Sequence, residues 1–173
     1  MFFKRKPKKQ EPVRITKEQF GDYVLSKFIL KSGEKVDDFF NEFNKEGNVS
    51  DYMTYLQYHL FLTQKILETR HSKDDSTKMV LSAINGIVDM LSFFPNENKE
   101  KAKEVFKNKY SDFVEGFDAD ITNEHDMHEL TKSFLKEWKV EDIFQNHQYV
   151  FATFMLFVKY HTNSILTNAF ELI

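Results

Sequence analysis

The chain has 173 residues, 41% of them hydrophobic and 29% charged, with 19 Phe, one Trp and no Cys. That length suits one domain able to bury a core without a covalent staple, and the lack of Cys excludes disulfides, thiolate metal sites and a Cys nucleophile. The formal charge of −3 is unevenly spread: Lys4, Arg5, Lys6, Lys8 and Lys9 follow Phe2 and Phe3 with no acid among them, so the other 19 bases face all 27 acids and the remainder carries −8.

Residues 1–15 therefore read as a basic, aromatic-tipped tail ahead of a domain over 16–173. Such a tail is suited to contact with another protein or with an anionic membrane surface. The acidic remainder argues against nucleic acid as the main ligand, and no helix shows a basic stripe suited to a groove. Pro7 interrupts the basic run and Gln10, Glu11 and Pro12 follow it, where a secretory signal needs an apolar stretch, so a cytoplasmic location is expected. The longest apolar run, Tyr149 to Val158, is too short for the about 20 residues of a spanning helix.

With five Gly and three Pro, the chain is poor in the breakers that an all-β fold requires. An all-α fold of about seven helices is expected. Thr16 and Gln19 form a capping-box pair ahead of an apolar set of Phe20, Tyr23, Val24, Leu25, Phe28 and Ile29, with Gly33 placed to end the first helix. Val36, Phe39, Phe40 and Phe43 mark a short second helix. Ser50 is a candidate cap for a third, running to about Arg70 with a stripe of Met53, Leu56, Leu60, Thr63 and Leu67. A polar run from His71 to Ser76 reads as a loop. Met79, Val80, Ala83, Ile84, Ile87, Val88 and Leu91 then give the cleanest amphipathic pattern.

Gly86 sits inside that fourth helix, where it costs about 1 kcal/mol relative to Ala, and a close helix crossing is the expected compensation. Beyond Pro95, Asn96 is placed to cap a fifth helix with Ala102, Val105, Phe106, Tyr110, Phe113, Val114 and Phe117 inward. A sixth spans about Asn123 to Lys136. The seventh, from about Glu141 towards Phe170, would extend about 45 Å if unbroken; its seam of Ile143, His147, Val150, Phe154, Val158, His161 and Ile165 makes it the expected long, Phe-rich core helix.

Three constellations carry chemistry. Asp118 to Glu129 places oxygen donors at Asp118, Asp120, Thr122 and Asp126 and a glutamate at Glu129, the spacing of a twelve-residue calcium loop between two helices, and the stretch resembles an EF-hand. Asn123 stands where such a loop has Gly and His125 where it has an aliphatic residue, and no second loop is found. The alternative is an acidic connector in which Asp120, Thr122 or Asn123 caps the sixth helix. His125 and His128, with Glu124 and Glu129, offer a weaker transition-metal spacing. Glu68 and His71 match half of a di-iron motif whose second half is missing.

His59, His147 and His161 fall on or beside apolar seams and are expected as buried neutral histidines rather than as ligands of a metal or haem iron. The Phe content fills a core or lines a cavity for an acyl chain or flat cofactor. No nucleophile elbow or phosphate loop is present, and Ser82 and Ser92 look ordinary, so catalysis finds no support. The resulting expectation is a non-enzymatic helical binding protein acting through protein–protein contacts as a small regulator, adaptor or inhibitor. The alternatives are a ligand or metal sensor using the 118–129 loop or a Phe-lined cavity, and a peripheral membrane protein anchored by its basic N-terminus. The Lys-, Asn- and Phe-rich composition points to a bacterial or phage source.

Overall fold

The computed structural model describes residues 12–31, 49–91, 95, 98–116, 123–137 and 170–173. They form five helices and two short strands. Strand β1 is Val13–Ile15. Helix α1 begins at Lys17–Gln19, turns π-helical over Phe20–Leu25 and continues as α-helix over 26–31. Then come α2 at Val49–Leu67, α3 at Lys73–Met90, α4 at Lys99–Gly116, α5 at Glu124–Glu137 and strand β2 at Phe170–Leu172.

The start of α1 obeys the sequence. Gln19 N donates to Thr16 Oγ1 at 3.2 Å while Thr16 N donates to Gln19 Oε1 at 3.0 Å, so two N–H groups left over at the helix end are satisfied reciprocally. Helix α2 starts at Val49, which puts Ser50 inside its first turn rather than at its cap. The expected loop of 71–76 is mostly helix, because Ser72 caps α3 by accepting from Asp75 N at 3.1 Å, and Asp74 and Asp75 complement the helix's positive end.

The core lies around α2. Its residues from Tyr58 to Gln64 are buried all round, as in a helix enclosed by neighbours rather than one lying on a surface. Leu56, Leu60, Thr63 and Leu67 of the expected stripe are buried, and so are Met79, Val80, Ala83, Ile84, Ile87 and Val88 of α3. Helix α4 contributes Phe106 and Tyr110, with Phe113 in edge contact with Tyr58 at 4.8 Å and Phe61 at 5.5 Å between ring centroids. Val105, expected inward, is exposed.

The described residues are mostly helical, in keeping with the all-α expectation, and one short two-stranded ladder is added to them. β1 and β2 pair in parallel, Val13 with Phe170 and Ile15 with Leu172, and Arg14 grips Glu171 through two hydrogen bonds of 2.8 and 3.0 Å. Residues 13–15, read as tail, thus belong to a ladder, and Phe170, read as the end of the last helix, starts a strand whose ring meets Phe20 edge-on at 5.7 Å. Three-residue strands 157 positions apart leave no periodicity to detect. The expected helices over 36–47 and 141–169 lie outside the described residues, as do His147 and His161.

Candidate functional site: the outward face of the first helix

Helices α1 and α3 run side by side in the same direction, with contacts that climb together along both. Lys17 Nζ pairs with Asp75 at 2.8 Å, Lys78 Nζ with Glu18 at 2.5 Å, Gly21 lies against Met79 and Ser82, and Gly86 lies against Asp22 and Ser26. A Cβ on Gly21 would overlap the Met79 carbonyl oxygen and stand 2.8 Å from Ser82 Cβ. A Cβ on Gly86 would overlap the Asp22 carbonyl oxygen and stand 2.6 Å from Ser26 Oγ. The crossing expected at Gly86 is therefore present, and a second glycine from the other helix completes it. Ser26 Oγ donates to the Asp22 carbonyl, giving this oxygen a partner within the wider π turn.

The π turn decides which side chains face out. Phe20, Leu25 and Ile29 are buried at steps of five and four, a pattern an ideal α-helix cannot keep on one face but an i→i+5 turn can. Tyr23, expected with Phe20 on the buried side, is instead 61% exposed. The exposed residues of α1 are Glu18, Gln19, Tyr23, Lys27 and Lys31, four of them spaced by four. Four-residue spacing drifts around an α-helix, and the slower-turning π segment offsets part of the drift, so these residues remain one stripe. Glu18 is held below the usual carboxylate range by its hydrogen bond to Lys78. Lys27 and Lys31 have no ion-pair partner among the described residues.

Inside the molecule one polar network joins α2, α3 and α4. Tyr110 Oη donates to Gln64 Oε1 at 2.7 Å, and Gln64 Nε2 donates to Glu68 Oε1 at 2.9 Å and Thr77 Oγ1 at 3.2 Å. Burial first, then the nearby Glu68 charge, pushes the Tyr110 hydroxyl well above its ordinary range. His59 is buried as expected, its ring 6.0 Å from that of Phe28 and its carbonyl accepting from Thr63 Oγ1 at 2.8 Å. Glu68 serves the Gln64 network, accepting from Gln64 Nε2.

In the acidic segment, Asn123 Oδ1 accepts from His125 N at 2.9 Å and Asp126 N at 3.4 Å, so Asn123 caps α5. Glu129 bonds Lys132 Nζ at 2.7 Å, which lowers its pKa from the usual carboxylate value. His125 is exposed, and His128 and Asp126 are half-buried. Asp118, Asp120 and Thr122 lie outside the described residues, as do Phe2, Phe3, Lys4, Arg5, Lys6, Lys8 and Lys9 of the tail. Among the described residues there is no group of three or more His, Asp or Glu positioned to hold a metal, and no helix long and apolar enough to cross a membrane. No family model, curated protein or solved structure matches the chain.

Proposed function

We propose that this chain is a helical binding protein that acts through protein–protein contacts, with the outward face of α1 as its docking surface. The observation that carries this reading is the presentation of Tyr23. Its ring is exposed on a backbone held against α3 by two glycine contacts that leave no room for adjustment. On a backbone held in this way a tyrosine presents a large amphipathic surface with only two side-chain torsions to order on binding, which is why tyrosine is prominent among residues that anchor interfaces. Gln19, Lys27 and Lys31 surround it with polar groups, as in the rim of an interface.

Replacing Tyr23 with a photo-crosslinking phenylalanine derivative in the full chain, in its native cell, tests the reading. Discrete adducts with one or a few proteins are expected from position 23. An absence of adducts there, with the variant folded and abundant, would overturn it.

A further inference from the structure

We infer that Tyr23 is an added residue: the π turn of α1 is an α-helical turn with one residue inserted, Ser26 is the positioning residue that holds the insertion open, and the outward ring is its product. That the ring serves binding rests on the protein-binding reading above. Single π turns are rare in proteins and recur at functional sites.

The spacing of the buried residues identifies the insertion. Before the turn, Phe20 is buried against Phe170 and Gly21 lies on Met79 and Ser82; after it, Leu25 and Ile29 are fully buried. Four α-helical steps turn about 400°, close to a full circle, whereas five turn about 500° and would carry Leu25 off the face that holds Phe20. The π turn takes five steps to come round once. Taking one residue out of 22–24 therefore restores an α-helix without turning either flank, and of these three Tyr23 alone is exposed.

Ser26 makes good the hydrogen bond that the insertion displaces. Its amide, which an α-helix would aim at the Asp22 carbonyl, goes to the Gly21 carbonyl, and its hydroxyl takes the place left on Asp22. Ser26 is fully buried, and Gly86 covers the pair so closely that a Cβ there would overlap the Asp22 oxygen. With Tyr23 deleted, Ser26 N keeps Gly21 as an ordinary i→i−4 acceptor, Lys27 N falls to Asp22, and the hydroxyl is no longer needed.

The experiment compares urea unfolding of the full chain with that of chains lacking Tyr23 or lacking Asn108, which is exposed on α4. Deleting a residue from a packed α-helix turns everything beyond it by about 100°. The chain lacking Asn108 should swing Tyr110 away from Gln64 and Phe113 away from Tyr58 and Phe61, and be destabilised at least about a hundredfold or fail to fold. The chain lacking Tyr23 should keep its unfolding equilibrium constant within about tenfold of the full chain's, since it loses one exposed ring and regains an unbroken ladder. Ser26→Ala should raise that constant about fivefold or more in the full chain, where a buried acceptor loses its donor, and at most about twofold in the chain lacking Tyr23.

Equal damage from the two deletions would overturn the insertion. Equal effects of Ser26→Ala in the two backgrounds would overturn the role of Ser26, because a serine that only fills space costs the same in both. A photo-crosslinker at Gln19, on the same exposed stripe, then reads binding with and without Tyr23. Adduct yield should fall at least about tenfold when Tyr23 is absent, and an unchanged yield from the folded chain would overturn the claim that the inserted ring serves binding. If neither position 19 nor position 23 gives adducts in an otherwise full chain, the protein-binding reading fails, while the stability comparisons still decide the insertion.

Discussion

Gly86→Ala is the substitution in which local propensity and packing disagree most sharply. Within an α-helix, alanine is favoured over glycine by about 1 kcal/mol, so a sequence-only argument predicts stabilisation. The structure reverses the sign. A Cβ at position 86 would overlap the Asp22 carbonyl oxygen and crowd Ser26 Oγ at 2.6 Å, and the first of these is backbone that cannot rotate away. Either α1 moves off α3 or both helices bend. Overpacking of this kind costs about 1 to 3 kcal/mol, and partial exposure of Phe20, Leu25 and Ile29, each worth about 1.5 to 3 kcal/mol when fully buried, adds to it. Net of the propensity gain, a loss of about 2 to 4 kcal/mol is expected. Gly116, with nothing within 4 Å of a Cβ, is the internal control, and Gly116→Ala should change stability by at most about 1 kcal/mol. Urea unfolding followed by circular dichroism reads both. The reasoning is refuted if Gly86→Ala stabilises as much as or more than Gly116→Ala.

Tyr110→Phe removes the donor to Gln64 Oε1 and should cost about 1 to 3 kcal/mol in the same assay, whereas a change below about 0.5 kcal/mol would mean the network is not closed in solution. Because burial raises the Tyr110 pKa in the folded state, its contribution is present below the ordinary tyrosine value of about 10 and is lost as pH rises beyond it; an alkaline loss of stability that is unchanged in Tyr110→Phe would contradict this. Asp75 and Glu18 are held low by Lys17 and Lys78, so their contribution is present above the ordinary carboxylate range and fades as pH falls through it; a Lys17→Met and Lys78→Met double variant should show a shallower acid limb, and an identical limb would remove the α1–α3 ion pairs from the account. Millimolar calcium should leave the thermal midpoint unchanged, and calorimetric binding that disappears in Glu129→Gln would reverse that expectation.

Much of the helical layout is written in local pattern. The Thr16–Gln19 capping box, the α3 stripe from Met79 to Val88 and the glycine at position 86 are all short-range signals, and the structure uses each as such. Two kinds of information are not local. The β1–β2 ladder depends on a partner 157 residues away, and three residues are too few to reveal a period of two. The π turn shifts the burial period of α1 from 3.6 residues to steps of five and four, so Tyr23 looks like core when an α-helix is assumed. A signal was present in the lysines at 27 and 31, because a stripe continuing four residues at a time from position 23 into two cations cannot face a core. Ser72 gave a similar hint, since a serine three residues before Asp75 is as good a cap as it is a loop residue.

The central claim, that the outward face of α1 is where this protein meets its partner, is tested most directly by comparing photo-crosslinkers placed singly at Tyr23 and at Asn108, which is exposed on α4. The account predicts discrete protein adducts from position 23 and none of the same mass from position 108. Adducts of equal yield from both positions, or from position 108 alone, would contradict it.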